Sequence, residues 1–250
     1  FKLIGSVLQI IAPNGNNCNI KITNESEDKI SWIGHFDLFF ECSGLNTSRE
    51  NCVKFLTDKT KLVIISATSW DSDKTIVYGF NHQDFILDQH KIISYGSCTV
   101  NAFVPLSNFI NKKFGLLSSD VNVIHNIQRY RLKENYTLNR KFCTLEKSAV
   151  QLLPFVNNKN FKVNYTVIPY EYVSMIDYRF ELENEFTLDS FIEILSDSIN
   201  NGDLKNLYDI EEFDNGPEVF NCTTYSSVFI KKGIQKVGRN IYLQAYFDNE

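Results

Sequence analysis

The sequence of 250 residues predicts an α/β region followed by an α+β region, and the change falls near Cys98. Before that residue, short apolar runs alternate with helical stretches, which is typical of a parallel sheet. After it, long β-rich runs are joined by loops, which indicates a mostly antiparallel sheet with helices on one face. The chain is 43% hydrophobic, which is enough to form the cores that both regions need. We therefore expect two domains, at residues 1–97 and 98–250.

The first region contains five candidate strands, at residues 19–22, 36–42, 61–66, 75–80 and 91–94. The runs at 36–42 and 61–66 are densely apolar and are expected to be buried. Residues 48–55 have a helical pattern, with Ser48 as N-cap because its hydroxyl can accept a backbone N–H. Apolar strands with a helix between them favour the parallel arrangement.

The second region opens with an amphipathic stretch at 102–114 and has another helical pattern at 188–199. Strand patterns occupy residues 120–127, 161–168, 172–182, 222–230 and 240–247. Pro169 separates two of the long strand patterns, since proline does not fit the middle of a strand. Long strands with few helices favour the antiparallel sheet.

Composition argues against several classes of protein. The net charge of −5 and the isoelectric point near 5.5 give no reason to expect nucleic acid as a partner. The sequence has no run of about 18 apolar residues, so no membrane span is predicted. The six cysteines form no CxxC pair and no metal-ligand spacing, which favours a reducing cytoplasm and no metal site. Phe1 is not an initiating residue, so we expect the sequence to begin within a longer chain.

Cys98 is the candidate nucleophile. It follows the apolar run 91–94 and precedes the amphipathic stretch, so it lies at the N-terminus of a predicted helix. Unpaired N–H groups and the helix dipole favour a thiolate there and predict a thiol pKa below about 8.5. The alternative is a small buried hydrophobic residue, which is what most free cysteines are.

His125 is the candidate base, 27 residues after Cys98 (125 − 98). A helix followed by a returning strand can bring the imidazole beside the start of the helix. There it would hold the thiolate and move protons. The alternative for His125 is an edge-strand histidine bonded to backbone.

Five segments resemble those of a known family. The segment 94–101, Ser-Tyr-Gly-Ser-Cys-Thr-Val-Asn, followed by Pro105-Leu106, is similar to Ser-Asn-Ala-Ser-Cys-Thr-Thr-Asn and Ala-Pro-Leu. Segments 39–45, 63–69, 79–82 and 246–250 resemble Val-Glu-Ser-Thr-Gly, Val-Ile-Ile-Ser-Ala-Pro-Ser, Gly-Val-Asn-His and Trp-Tyr-Asp-Asn-Glu. These are runs of the phosphorylating glyceraldehyde-3-phosphate dehydrogenases, and His125 falls at the position of that family's histidine. The likeness extends over nearly the whole chain.

The resemblance implies a dehydrogenase of glycolysis, with part of a Rossmann-type parallel sheet followed by a catalytic sheet. It implies that Cys98 attacks an aldehyde, that His125 takes a proton as hydride leaves for NAD, and that inorganic phosphate releases an acyl phosphate. The residues expected to bind the cofactor are Ser43, Gly44, Ser66 and Asn249, and those expected to bind phosphate are Ser97, Thr99 and Thr144. Family members are usually tetramers, so a homo-oligomer is expected.

The chain departs from the family where the substrate phosphate would bind. The family's two threonines after the histidine are Gln128 and Tyr130 here, and its arginine is replaced by Val167. Arg129, Arg131 and Arg140 are candidates to replace the arginine, or are ordinary surface residues. The family's glycine-rich turn for the dinucleotide is not found, and we expect it before the first residue. The choice between NAD and NADP therefore remains open.

The default prediction is a phosphorylating, NAD(P)-dependent aldehyde dehydrogenase acting on glyceraldehyde 3-phosphate. A relative acting on erythrose 4-phosphate or another sugar aldehyde comes next, because the phosphate contacts differ. A non-catalytic paralogue used as a binding protein would need neither Cys98 nor His125. A thiol hydrolase with a Cys–His dyad would need no dinucleotide groove, so NAD binding separates it from the default.

Overall fold

A computed structural model describes residues 2–12, 14–127 and 138–248. The chain begins with an antiparallel sheet of three strands, β1 (Lys2–Ile4), β2 (Val7–Ile11) and β3 (Asn17–Lys21). The outer strands are exposed, and β2 is only partly covered. This sheet therefore contributes little to the main cores.

A parallel sheet follows, built from β4 (Leu38–Glu41), β5 (Leu62–Ile65), β6 (Lys74–Thr75) and β7 (Ile92–Ser94). Its strand order is β4-β5-β7-β6, and all three pairings are parallel. The short helix α1 (Arg49–Cys52) connects β4 to β5, and the hydroxyl of Ser48 accepts the N–H of Asn51 as the predicted N-cap. The carboxyl ends of β4, β5 and β7 therefore meet at one edge.

The largest sheet has eight strands. They are β8 (Leu116–His125), β9 (Asn139–Arg140), β10 (Phe161–Val167), β11 (Ser174–Leu182), β12 (Tyr208–Glu211), β13 (Ser227–Ile230), β14 (Gln235–Val237) and β15 (Asn240–Phe247). The order is β12-β13-β15-β11-β8-β10-β9, and β14 pairs with β15. Only β8 with β10 and β12 with β13 are parallel among these described pairings.

Three helices cover one face of this mixed sheet: α2 (Cys98–Phe114), α3 (Thr144–Leu152) and α4 (Leu188–Asn201). Alternate residues of the strands point into the same core as these helices, as the two-residue period of a strand requires. Val121 and Val123 of β8 are fully buried there, with Phe103 of α2 and Phe191 of α4. The predicted fold class is thus confirmed, while the division into domains at Cys98 stays a prediction.

Two strand predictions need correction. The run 36–42 was expected to be buried, but β4 covers only part of it, and Phe40 is 57% exposed. The reason is that β4 pairs only with β5 among the described residues and forms the edge of the sheet. The predicted strand at 75–80 is reduced to β6, after which Gly79 turns the chain with a φ of +79°.

The helix α2 has signals at both ends that explain its length. Ser97 is its N-cap, and its hydroxyl accepts the N–H of Val100. Gly115 ends it with a φ of +70°, and two lysines lie in the last turn, where the helix dipole favours positive charge. None of the described helices has both the length and the hydrophobicity that a membrane crossing would need.

Candidate active site

Cys98 lies where the parallel sheet meets the mixed sheet. The strand β7 ends at Ser94, the chain turns at Gly96 with a φ of +82°, and Cys98 is the first residue of α2. A side chain at Gly96 would come within 2.9 Å of Val100. The turn therefore requires glycine for two reasons, the positive φ and the lack of space for a Cβ atom. The turn therefore sets the direction in which α2, and the thiol at its start, leave the sheet.

His125 is the last residue of β8 and faces the helices. The alternation of β8 puts it on the same face as Val121 and Val123. Its Nε2 lies 3.6 Å from Sγ of Cys98. The structure therefore brings the two predicted catalytic side chains into contact, although 27 residues separate them in the sequence.

A backbone carbonyl decides where the imidazole carries its proton. Nδ1 of His125 lies 2.7 Å from the carbonyl oxygen of Asn126, which can only accept a hydrogen bond. Nδ1 therefore bears the hydrogen in the neutral ring, and Nε2 presents a lone pair to the thiol. This is the arrangement that a base acting on Cys98 requires.

Burial acts against charge on both partners. It raises the pKa of the Cys98 thiol to about 12, although the N–H groups of Cys98 and Thr99 lower it. It also lowers the pKa of His125, against the bond to the Asn126 carbonyl. The lowered thiol pKa predicted from the helix N-terminus is therefore wrong for the resting site, because desolvation outweighs the local donors. Both shifts favour the neutral forms, a thiol beside a neutral imidazole.

Three hydroxyl groups lie together, on the two residues that flank Cys98 in the sequence and at the start of α3. The hydroxyl of Thr144, at the start of α3, donates to Oγ of Ser97 at 3.1 Å. Oγ1 of Thr99 lies 3.2 Å from the same Ser97 oxygen. The three residues predicted to bind phosphate are thus neighbours, at the N-termini of two helices, where backbone dipoles favour an anion.

The predicted cofactor residues lie at the carboxyl edge of the parallel sheet. Ser43 and Gly44 follow β4, and Ser66 follows β5 with its N–H bonded to the carbonyl of Glu41. Ser43 also donates to the buried carboxylate of Glu41, which holds the turn. Gly44 has a φ of +72° and open space where a side chain would be. Nucleotides bind at this edge in open α/β sheets, so these residues fit that purpose.

Four predicted residues lie outside the part of the chain that the structure describes: Gln128, Arg129, Arg131 and Asn249. Arg140 is described, and it pairs with Thr166, which in turn pairs with Ile124. Residues directly opposite in a sheet share a face, so Arg140 lies on the face away from His125. Arg140 is therefore not placed to bind a substrate at Cys98.

Several residues around the site were not predicted. Cys143 is buried with its Sγ 3.7 Å from Oγ1 of Thr99, and the ring of Tyr165 lies 5.5 Å from that of His125. Burial raises the pKa of Tyr165, and charge on Cys98 or Cys143 would raise it further, so its phenol stays neutral. The alternation of β10 could have indicated Tyr165, but the contact of Cys143 has no local signal in the sequence.

Comparison with known proteins gives the same relationship along the whole chain. No family model matches it. Glyceraldehyde-3-phosphate dehydrogenase 2 of Trichormus variabilis is 26% identical over 244 residues, which is 92% of this chain and 72% of that protein. The glyceraldehyde-3-phosphate dehydrogenase of Geobacillus stearothermophilus is 28% identical over 253 residues, 95% of this chain and 74% of that protein. Glyceraldehyde-3-phosphate dehydrogenase 1 of Giardia intestinalis is 29% identical over 257 residues, 96% of this chain and 75% of that protein.

These relatives come from bacteria and a eukaryote, and each match extends across both the parallel sheet and the mixed sheet. With identities below a third, most aligned positions differ between this chain and these relatives. The chain is thus similar to glyceraldehyde-3-phosphate dehydrogenases over more than nine-tenths of its length and resembles a divergent relative of that family.

Proposed function

We propose that this protein oxidises an aldehyde, by default glyceraldehyde 3-phosphate, with NAD and inorganic phosphate to give an acyl phosphate. The observation that supports it most is the 3.6 Å contact between Sγ of Cys98 and Nε2 of His125. A thiol, a base with its lone pair on that thiol, and a group of hydroxyls meet the needs of acyl transfer through sulfur.

In the first step, Nε2 of His125 accepts the thiol proton and the sulfur attacks the aldehyde carbon. The new S–C bond forms as the C=O π bond breaks, and the imidazolium returns its proton to the oxygen. The product is a thiohemiacetal on Cys98 beside a neutral His125. The backbone N–H groups near the sulfur stabilise the oxygen while it is negative.

In the second step, His125 takes the hydroxyl proton of the thiohemiacetal as its carbon loses a hydride, which leaves a thioester on Cys98. NAD, when bound, supplies the hydride acceptor. Ser43, Gly44 and Ser66 would hold it at the carboxyl edge of the parallel sheet, and Asn249 would contact its nicotinamide. NADP in place of NAD is the alternative for this role.

In the third step, inorganic phosphate attacks the thioester carbon, and the C–S bond breaks. The imidazolium of His125 protonates the departing sulfur, which restores the resting pair. Ser97, Thr99 and Thr144 would bind the phosphate, because their hydroxyls are neighbours at two helix N-termini. Gln128, Arg129 and Arg131 are the proposed contacts for the phosphate of the aldehyde.

A second substrate is favoured by one specific position. Val167, which replaces the family's arginine, is buried beside His125 and offers no charge to a substrate phosphate. Erythrose 4-phosphate or another sugar aldehyde is therefore the second candidate. The ratio of kcat/KM for glyceraldehyde 3-phosphate, erythrose 4-phosphate and unphosphorylated glyceraldehyde decides between them.

The test of the reaction is reduction of NAD by the purified protein with glyceraldehyde 3-phosphate and inorganic phosphate. Replacing Cys98→Ser is expected to lower turnover at least about a thousandfold, since removal of a nucleophile costs this much or more. Cys18→Ser, on the exposed strand β3, is the matched control and should retain activity. Turnover that survives in Cys98→Ser would exclude the thiol mechanism, and thioester hydrolysis without NAD binding would indicate the hydrolase.

Self-association and a cytoplasmic location are proposals that rest on the family resemblance. All six cysteines have free thiols in the structure. Light scattering of the purified protein would measure the oligomeric state. A tagged chain imaged in its own cells would measure the location.

A further inference from the structure

The carbonyl that fixes the tautomer of His125 lies just past the end of its strand. It belongs to the peptide between Asn126 and Ile127, which follows the last residue of β8. The N–H of that same peptide donates to the carbonyl of Tyr170 at 3.0 Å. Because the N–H and C=O of a trans peptide point in opposite directions, the bond to Tyr170 aims the Asn126 carbonyl at the imidazole.

The rest of Asn126 is held by the segment that opens β11. Its N–H donates to Oγ of Ser174 at 3.1 Å, and the Ser174 hydroxyl donates to its Oδ1 at 3.0 Å. Its Nδ2 donates to the carbonyl of Tyr172. With the carbonyl on His125, all four polar atoms of Asn126 have partners, and the residue is only 5% exposed.

We infer that Asn126 and Ser174 form a clamp that positions His125, by locking the peptide whose carbonyl binds the Nδ1 hydrogen. The inference rests on the proposed function in one respect, which is that His125 acts as the base for Cys98. Neither residue touches the reacting atoms, so both are positioning residues. A loosened peptide would let the ring rotate or exchange tautomers, and either change removes the lone pair from the thiol.

The experiment uses Asn126→Ala, Ser174→Ala and the double variant of the full chain. Two matched controls remove the same kinds of group elsewhere, one on α2 at its contact with β8 and one on β8 itself. Asn111→Ala removes the amide that accepts the N–H of Leu116 at the start of the strand, and Ser119→Ala removes a buried hydroxyl in its middle. Nitrogen NMR of the His125 ring reports the tautomer. Iodoacetamide labelling of the Cys98 peptide, followed by mass spectrometry, reports base assistance to the thiol.

Asn126→Ala and Ser174→Ala are each expected to slow labelling of Cys98 about 10- to 100-fold near neutral pH, the usual cost of removing an outer-shell partner. The His125 ring should become a mixture of tautomers. The double variant should be no worse than the poorer single variant, because the two residues act as one unit. The two controls should keep the labelling rate and tautomer of the wild type.

Wild-type labelling and a single tautomer in Asn126→Ala would overturn the inference. If Asn126→Ala does not fold, the labelling rate of Cys98 and the tautomer of His125 in Ser174→Ala test the inference instead. Both readouts need neither aldehyde nor NAD, so they remain valid in a protein with no dehydrogenase activity. If the variants keep wild-type labelling and tautomer while the protein reduces NAD, the clamp is wrong but the proposed function stands.

Discussion

Hydrogen bonding and burial shift the pKa values of Cys98 and His125 in opposite directions. Hydrogen bonds from the N–H groups of Cys98 and Thr99 favour a thiolate, and the carbonyl of Asn126 favours a charged imidazole. Burial opposes both charges and is the larger effect in each case. Both shifts therefore favour a neutral thiol and a neutral imidazole, since charge on either group is poorly solvated there.

The partly buried His125 is expected to make stability depend on pH. Its folded pKa lies below the unfolded value of about 6.5, so the unfolded chain binds a proton that the folded protein does not. Its contribution to the free energy of unfolding is complete above about pH 6.5 and is lost as the pH falls through the folded pKa. Urea denaturation at several pH values measures this, and His125→Gln should remove that part of the dependence.

The exposed His35 provides the control for this measurement. His35→Gln should keep the wild-type dependence, since that side chain is exposed to solvent. Asp73 has a lowered pKa but titrates at lower pH, so it does not contribute to the same window. Identical pH dependence in the wild type and His125→Gln would contradict the expectation.

Thr144 is expected to bind inorganic phosphate. Thr144→Val keeps the shape and removes the hydroxyl that bonds Ser97, without removing the cap of α3, which is Cys143. The KM for phosphate should rise about tenfold, the effect of one hydrogen bond of about 1.4 kcal/mol. The control Thr166→Val changes the same chemistry on the other face of the sheet and should leave this KM unchanged. An equal rise in both variants would contradict a specific contact.

At the level of elements, the turn from β7 into α2 is expected to depend on Gly96. A non-glycine residue with this φ is strained by about 1–2 kcal/mol, and a side chain would also press on Val100. Gly96→Ala should therefore destabilise the protein in urea and slow labelling of Cys98 by iodoacetamide. Gly238→Ala is the matched control, because its φ is also positive but nothing lies within 4 Å. Equal losses in the two variants would mean that contact with Val100 is unimportant.

Elements with strong local signals could be predicted from the sequence, and those defined by their neighbours could not. The patterns at 102–114, 188–199 and 240–247 correspond to α2, α4 and β15. The run 36–42 was misjudged because an apolar sequence does not tell whether strands flank it on both sides. The nine residues of α3 and the four of β12 were missed, since short elements depend on tertiary contacts more than on propensity.

The same distinction applies to the candidate site. Cys98 and His125 could be paired because a helix and a returning strand connect them within 27 residues. The clamp on His125 and the desolvation of Cys98 come from strands far along the chain, and no local pattern encodes them. Sequence patterns could therefore indicate the two side chains of the candidate site but not the sign of their pKa shifts.

At the scale of the whole molecule, α2 connects the two main sheets. It begins at the carboxyl edge of the parallel sheet and then crosses the mixed sheet. In its middle, Pro105 has no N–H to offer Asn101, which breaks the helix ladder. The hydroxyl of Tyr208 on β12 lies 3.2 Å from the Asn101 carbonyl. It also accepts the N–H of Leu106 at 3.1 Å and lies 3.0 Å from the carbonyl of Ala102.

Tyr208 is therefore expected to stabilise the contact between the mixed sheet and α2. Tyr208→Phe removes one oxygen from a fully buried place, together with the hydrogen-bond partner of the Leu106 N–H and of the Asn101 carbonyl. We expect a cost of about 1–3 kcal/mol in the free energy of unfolding. Urea denaturation measures this cost directly. In a Pro105→Ala background the helix can bond these groups itself, so the same replacement should cost less. An undiminished cost in that background would show that Tyr208 stabilises the protein by packing and not by repairing the helix.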